Sequence, residues 1–460
     1  MLKLWPGPVR LSVLDRAGRP LCYAVDGLPA GPGPGAPVDP AFVASAVARL
    51  VAAAPPGELT VAGDFDGADP RLVWLDPYDR RRIPIERALE IAGDILRHRA
   101  KTSRRSYAVG ITRWKRPAVT AFLDGPNGPP VFVGRAADAA AAARAGSGRV
   151  VTWASRDVVA AERAAREAGA PLARLEDGFL RSVGLGAAFI EAVSLVLDDS
   201  GVYYDPSGPS DLETLLREAE IPPELVERAS RLRRRLVAEN FTKYNVGVDA
   251  DRVVPEGRRG VLVPGQVEDD ASILRGAGAI RTNRALLAAA RARHPDAFIV
   301  YKPHPDVVAG YRRGAVSPDD LGLADAVVPE GSIAALYPQC DSVETMTSLS
   351  GFEALLRGLS VTTHGAPFYA GWGLTEDLAA HPRRGVRRTL DELVAATLIL
   401  YPLYRDPVTG LPCGPETALD RLSAARARTR TWRGATAARL RHAYALARHR
   451  LLGPIARRLP

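Results

Sequence analysis

Three stretches decide the reading of this chain: GVLVPGQVEDDAS (residues 260–272), AFIVYKPHPD (297–306) and DSVETMTSLSGFE (341–353). Each begins as a short apolar run of strand character and ends in a tight group of polar side chains. In open α/β sheets, ligands bind just beyond the carboxyl ends of the strands, so the three polar groups are expected to line one crevice. A fourth group, Glu176-Asp177-Gly178, follows the strand-like run 171–175 in the other half of the chain. Four such coincidences read as an enzyme.

Outward from these stretches the chain alternates strands and helices. From about residue 106 the pattern predicts strands at 130–134, 150–153, 193–198 and 201–204, a strand ending at Leu175, and helices at 158–168, 210–218 and 223–240. After a polar break at 249–259 it predicts strands at 260–264, 297–301, 325–328, 341–346 and 360–363, with helices at 282–293, 332–337 and 351–357. Such alternation implies parallel sheets with right-handed crossovers. The expected fold is α/β, with two Rossmann-like domains (101–255 and 256–400) facing a cleft. Residues 1–100 read as an α+β extension, with a hairpin at 9–14 and 21–25, an alanine-rich helix at 41–53, a strand at 59–62 and a helix at 84–97. Residues 401–460 read as a helical, basic tail.

A chain of 460 residues exceeds what one core usually supports, so two or more domains are expected. The net charge of +9 is concentrated: residues 421–460 hold eleven arginines and no Asp or Glu, which leaves the body close to neutral. Trp432, Leu440, Tyr444, Leu446, Leu451 and Leu452 interleave with those arginines. Two readings stand for this tail: a helix lying on an anionic membrane surface, or a helix packed on the body with a solvated arginine face. Nucleic acid is not an expected partner, because no aromatic platform or recognised module accompanies the charge. Cys22, Cys340 and Cys413 stand singly, which argues against a disulfide scaffold and structural zinc and fits a reducing cytoplasm. The start of the chain lacks the apolar core of a signal peptide, and no apolar run is long enough to span a bilayer.

The motifs carry specific chemistry. His304 lies between two prolines directly after a strand, held where it can bond a phosphate or act as an acid, with Lys302 and Asp306 beside it. Thr347, Ser348 and Ser350 precede a helix, where hydroxyls and backbone N–H groups form either an anion site or a simple cap. Glu353 is placed either to accept from ribose hydroxyls or to complete a capping box with Ser350. For Glu268-Asp269-Asp270 three readings compete: a metal site, a solvated turn, or a nucleophile or base. Glu176 and Asp177, with Arg181 four residues on, form a second carboxylate site. Gly184 and Gly186 lack the spacing of a dinucleotide fingerprint. GAPFYAGWGLTED (365–377) reads either as a loop closing over a ligand or as an ordinary packed loop.

Taken together, LEDGFLRSVGLG (175–186), SLVLDDSGVYYD (194–205), TKYN (242–245), QVEDDAS (266–272), YKPHPDV (301–307), TSLSGFEALLRG (347–358) and GAPFYAGWGLTED (365–377) resemble the capsule-polysaccharide β-Kdo transferases, which build the β-linked Kdo linker of Gram-negative capsules on a phospholipid. The likeness runs through about residues 105–400. It implies a GT-B glycosyltransferase that takes Kdo from CMP-β-Kdo with retention of configuration, with residues 101–255 on the acceptor side and 256–400 on the CMP-sugar side. Relatives often carry two transferase modules; these motifs occur here once, implying a single module. The resemblance makes Asp270 the nucleophile, though relatives can have Asn where this chain has Asp269, so the two aspartates stay open. It sets Lys302, His304, Thr347, Ser348, Ser350 and Gln266 on the CMP moiety, Glu353 towards its ribose, and Glu176 and Asp177 near the acceptor hydroxyl or the Kdo. Arg181 and Lys243 are candidates for the Kdo carboxylate.

No cofactor or metal is expected, since His304, Lys302 and a helix N-terminus can stabilise a leaving nucleotide phosphate. The implied partners are a CMP-sugar donor, a lipid-linked or oligosaccharide acceptor and other capsule-biosynthesis proteins, with the chain peripheral on the cytoplasmic face of the inner membrane through 421–460. Two rival readings are a transferase of another CMP-activated nonulosonic acid of sialic-acid type, and a non-catalytic capsule assembly or export factor.

Overall fold

The computed structural model describes residues 9–14, 20–26, 59–61, 72–155, 158–181, 192–242 and 251–429. The helix expected at 41–53, the glycines Gly184 and Gly186, Lys243 and the tail beyond Thr429 lie outside the described residues. Internal contacts divide the chain into two units. One comprises Met1–Leu172, Val193–Leu197 and Leu403–Arg421; the other comprises Ala173–Ala192, Asp198–Pro402 and Leu422–Pro460.

The first unit opens with an antiparallel sheet of β1 (Val9–Leu14), β2 (Pro20–Asp26), β3 (Leu59–Val61) and β4 (Leu72–Leu75), ordered β3-β1-β2-β4. The expected hairpin is β1 with β2. The helix α1 (Ile85–Lys101) then buries Ala88, Ile91, Ala92 and Ile95 along one stripe of helical period. The βα series follows as β5 (Ser106–Val109), α2 (Arg116–Leu123), β6 (Val131–Phe132), α3 (Ala136–Ala145), β7 (Arg149–Trp153) and α4 (Val158–Ala168). β5 pairs in parallel with both β6 and β7. Ala139, Ala140 and Ala143 of α3 and Ala161 and Ala165 of α4 pack with Val109 and Val150, so side chains of minimal size let these helices lie close to the strands.

β8 (Leu172–Asp177), β9 (Ser194–Asp198), β16 (Pro402–Arg405) and β17 (Pro412–Cys413) extend these strands into one seven-stranded sheet, ordered β17-β16-β9-β8-β7-β5-β6. The last two strands correct the expectation that 401–460 is helical from its start. The cause is Asp406, fully buried, which accepts from Val408 and Thr409 N–H and from the Arg421 guanidinium at 2.7 Å and so closes a β16–β17 hairpin. A helix, α13 (Pro415–Thr429), forms only after it.

The second unit is built on six parallel strands: β10 (Gly260–Pro264), β11 (Phe298–Lys302), β12 (Ala326–Val327), β13 (Ser342–Thr345), β14 (Ser360–Thr363) and β15 (Glu376–Asp377). Their order is β12-β11-β10-β13-β14-β15, with every neighbouring pair parallel. The helices are α5 (Asp211–Glu218), α6 (Pro223–Ala238), α7 (Ala271–Gly276), α8 (Asn283–Arg293), the short α9 (Pro305–Val308) and α10 (Pro318–Leu321), α11 (Leu349–Leu356) and α12 (Leu390–Val394), which continues as a π-turn over Ala395–Leu400. Val261, Val263, Ile299 and Tyr301 from the strands bury against Leu286, Leu287 and Ala290 of α8, which is why β10 and β11 read as unbroken apolar runs.

Two further expectations change. Residues 201–204 are a turn and not a strand, because the Asp198 carboxylate accepts from Ser200 N–H (2.9 Å) and Gly201 N–H (2.7 Å), donors a strand would need for its ladder. The helix expected at 332–337 is a pair of 3₁₀ turns, Ile333–Ala335 and Tyr337–Gln339, as suits a stretch with Pro338 inside it. The beginning of the basic tail is packed: Arg426 donates to the Glu239 carbonyl at 2.8 Å and lies 5.0 Å over the Phe241 ring. No helix among the described residues is long and apolar enough to cross a membrane.

His98, on the buried face of α1, lies with Nε2 2.8 Å from the Phe122 carbonyl, and burial pushes its pKa down from 6.5 to about 4. A depressed histidine pKa leaves stability untouched above about 6.5 and removes it as pH falls towards 4, because the unfolded chain takes up the proton first. The step amounts to about 3 kcal/mol. Chemical denaturation should therefore show wild type losing that much more than His98→Gln between neutral pH and about pH 4, the amide keeping a donor for Phe122.

Candidate active site

Counted from β10, the strand order of the second unit is 3-2-1-4-5-6, the order of dinucleotide-binding sheets, and the winding reverses between β10 and β13. The crevice beyond the carboxyl ends of those two strands is the place where such sheets hold ligands. Gln266, just after β10, spans it. Its buried side chain accepts from Thr347 N–H (3.0 Å) and from the Thr345 hydroxyl (3.3 Å), and its amide donates to the Thr347 hydroxyl (3.1 Å). Its own N–H donates to Asn283 at the start of α8 (2.8 Å). The third motif joins through Gly265. A β-carbon there would stand 2.8 Å from the Tyr301 hydroxyl and 3.2 Å from His304 N, so the backbone after β10 passes the start of the His304 loop at a distance only glycine permits.

The acidic cluster separates into three fates. Glu268 accepts from Asn283 N–H at 2.8 Å and so caps α8. Asp269 pairs with Arg312 at 3.1 Å on the surface. Asp270 begins α7 with its backbone, but its exposed carboxylate takes no part in the cap; among the described residues it accepts only from the Ser272 hydroxyl, at 2.9 Å. The metal reading needs the three carboxylates to converge, and they do not.

Tyr204 lies against the fourth motif. Its hydroxyl reaches Glu176 at 3.4 Å, and its pKa is pushed up by burial first, then by Glu176, with a smaller push from Asp270. Next to Tyr204, Asp205 pairs with Arg275 of α7. Asp177 is engaged otherwise: its carboxylate holds the buried Arg181 guanidinium at 2.8 Å.

The remaining candidates are arranged as follows. Lys302 is buried and donates to the carbonyls of Pro329 (2.9 Å) and Glu330 (3.0 Å); burial lowers its pKa to about 8. His304 caps α9, its Nδ1 accepting from Asp306 N–H at 3.1 Å, so the proton of the neutral ring sits on Nε2. Ser348 is the N-cap of α11, accepting from Ser350 N–H at 3.1 Å. The helix thus begins at Leu349, which puts Ser350 inside its first turn and leaves no capping box with Glu353. Glu353 is buried and accepts from the Tyr337 hydroxyl at 3.1 Å.

Of the stretch 365–377, residues 365–372 are packed into the unit and Gly373 and Glu376 are exposed. Tyr369 and Trp372 are fully buried, and Phe368 stacks among Phe179, Tyr203 and Phe352. Its start is fastened to the site: Ala366 N–H donates to the Gly276 carbonyl (2.8 Å) at the end of α7, and a β-carbon on Gly365 would lie 2.7 Å from that same oxygen.

Tyr204, Arg275, Asn283 and Tyr337 were not singled out by sequence. Tyr204 lay in a quoted motif but in a segment assigned to a strand, so its proximity to α7 had no signal. The partners of Arg275, Asn283 and Tyr337 are 70, 17 and 16 residues away in the chain.

Fold and site together define a GT-B glycosyltransferase fold. Residues 149–404 match the family described as "Capsule polysaccharide biosynthesis protein", and the chain belongs to that family. It is 41% identical over 346 residues to the capsule polysaccharide modification protein LipA of Neisseria meningitidis, covering 75% of this chain and 49% of that protein. It is 46% identical over 259 residues to the lipopolysaccharide-processing protein LpsZ of Rhizobium meliloti, covering 55% of this chain and 59% of that one. The chain thus spans about half the length of the curated relatives it matches. Among solved structures it is similar to two described as Thermosulfurimonas dismutans KpsC. One, a beta Kdo 2,7 transferase, is 34% identical with a TM-score of 0.58, over 70% of this chain and 99% of that one. The other, a beta Kdo 2,4 transferase, is 33% identical with a TM-score of 0.60, over 69% and 97%.

Removing the Gln266 side chain takes the partner from Thr347 N–H and the Thr347 hydroxyl and one of two partners from the buried Thr345 hydroxyl, which keeps Ser348 N–H. Gln266→Ala should lower stability by about 2 kcal/mol in urea denaturation and raise amide exchange at Thr347 and Ser348. Unchanged exchange there would remove Gln266 as the tie between β10 and β13.

Proposed function

We propose that this chain is a retaining β-Kdo glycosyltransferase of capsular or surface polysaccharide synthesis, taking Kdo from CMP-β-Kdo. The observation that carries the reading is Asp270: an exposed carboxylate outside every side-chain cap and ion pair of the described residues, following β10 at the switch point of a nucleotide-type sheet. Family membership and likeness to two structures described as β-Kdo transferases support it.

In this reading an Asp270 oxygen attacks the anomeric carbon of Kdo. The bond from that carbon to the phosphate oxygen breaks, its electron pair leaving with CMP. The second step reverses the face: the acceptor hydroxyl oxygen attacks the same carbon, Glu176 takes the hydroxyl proton, and the Asp270 carboxylate is released. Two inversions give retention, as with paired carboxylates in glycoside chemistry. The His304 Nε2–H and the N-terminus of α11, with Thr347, Ser348 and Ser350, stabilise the departing phosphate without a metal. Gln266 and Lys302 act by holding the loops that carry them, and Arg181, anchored by Asp177, or Lys243 meets the Kdo carboxylate.

The acceptor is proposed to be lipid- or glycan-linked, with residues 421–460 touching the cytoplasmic face of the inner membrane. A sialic-acid-type CMP donor is the second reading, since a nucleophilic carboxylate and a phosphate site suit any CMP-activated nonulosonic acid.

Intact-protein mass spectrometry after incubation with CMP-Kdo tests the proposal. Wild type should gain one Kdo unit, Asp270→Ala none, and Glu176→Gln should accumulate the adduct in the presence of acceptor. CMP release with no adduct in any variant would take Asp270 out of the nucleophile role. Neither adduct nor CMP release, against turnover of CMP-sialic acid, would decide for the second reading.

A further inference from the structure

The parallel strands β5, β6 and β7 of the first unit end at one edge, Val109 beside Thr152 and Ala108 beside Phe132. The chain leaves β5 through Gly110 into the sequence Thr112-Arg113-Trp114-Lys115-Arg116, a single 3₁₀ turn that runs into α2. Arg113, Trp114 and Arg116 are exposed, and Trp114 keeps 42% of its surface in solvent. That is a large apolar area for an indole, a side chain that is highly buried on average. The two flanking cations lie on aromatic faces: the Lys115 ammonium is 3.0 Å from the centre of the Trp153 ring and 5.3 Å from that of Trp114, and the Arg116 guanidinium is 5.0 Å over Phe132. Arg135 follows β6, also exposed. No acidic residue occurs from 110 to 117 or from 131 to 137, and the first carboxylate beyond, Asp138, is exposed in the first turn of α3.

The edge is therefore a cationic and aromatic patch, with Arg113, Lys115, Arg116 and Arg135 set against the single carboxylate of Asp138. The one hydroxyl of the turn, on Thr112, is buried. A neutral sugar surface would call for carboxylates or amides to take its hydroxyl protons, and Asp138 alone supplies one among these residues. Phosphodiester headgroups need only donors, and an indole at the surface is suited to the boundary between headgroup and acyl chain. We infer that the turn 112–116, with Arg135, is a docking surface for an anionic phospholipid bilayer: Trp114 enters the interface while Arg113, Lys115, Arg116 and Arg135 meet the phosphates. This contact is separate from the tail 421–460 and does not depend on the identity of the sugar donor.

The test places an environment-sensitive fluorophore within the turn. In the full chain carrying Cys22→Ser, Arg113→Cys is labelled, Cys340 and Cys413 being buried. Vesicles of phosphatidylcholine with phosphatidylglycerol should shift the label's emission to the blue; pure phosphatidylcholine should not. Adding Arg116→Gln should weaken the response about fivefold, the effect expected for one surface cation, and adding Trp114→Ala should weaken it as well, each variant keeping a cooperative thermal transition. Binding to the vesicles with no shift at position 113, or no binding, would overturn the proposal. So would an equal shift with inorganic phosphate or a soluble anionic oligosaccharide, which would make the turn a site for a small anion or a glycan.

Discussion

The candidate site depends on one side chain crossing one gap. At the switch point of a parallel sheet no ladder hydrogen bond joins the two loops that leave β10 and β13, since the helices that follow diverge to opposite faces. Gln266 supplies the missing connection, with one amide that both accepts from Thr347 N–H and donates to its hydroxyl. The helix end proposed to meet the leaving phosphate hangs on that loop, with Ser348 as the cap of α11 and Ser350 within its first turn, while His304 comes to the phosphate from the loop after β11. Because Gln266 is also tied to Asn283, the same residue fixes the start of α8, and through it Glu268.

The three adjacent carboxylates show how identical chemistry is sorted by surroundings. Glu268 and Asp269 find partners, and those bonds hold the turn. Asp270 is left facing solvent because its backbone, not its side chain, starts α7. A carboxylate spent on a cap or an ion pair is a poor nucleophile; the one left over is chemically available. A further set of contacts keeps α7 in place from its other end, where Gly276 receives Ala366 N–H and Asp205 holds Arg275. The aromatic packing of Phe179, Tyr203, Phe352 and Phe368 lies beneath, so a loop that looks mobile by its glycines is a wall.

Much of the fold was legible in the chain itself. β10 reads to the residue because it is a fully buried apolar run bounded by turn residues, and β14 because its β-branched Val361, Thr362 and Thr363 follow the helix-ending Gly358. Failures fell where a single side chain captured the backbone. Asp198 turned an expected strand into a turn, and Asp406 turned the beginning of a basic tail into a hairpin. Periodicity cannot register such events, because they depend on which donors lie within reach of one carboxylate. Glu353 is a comparable case: its spacing from Ser350 suggested a cap, yet the helix starts at Leu349 and the carboxylate accepts from Tyr337 instead.

By itself the sequence determined the alternation of strands and helices and the positions of the polar motifs at strand ends, because burial periodicity and turn chemistry are local properties. Tertiary structure alone decided which of those polar residues are available for chemistry. Lys302 is committed to two carbonyls, Asp177 to Arg181 and Glu268 to α8, while Asp270 is left exposed. The availability of a group depends on the partners that packing brings to it, and those partners are set by contacts between residues far apart in the chain.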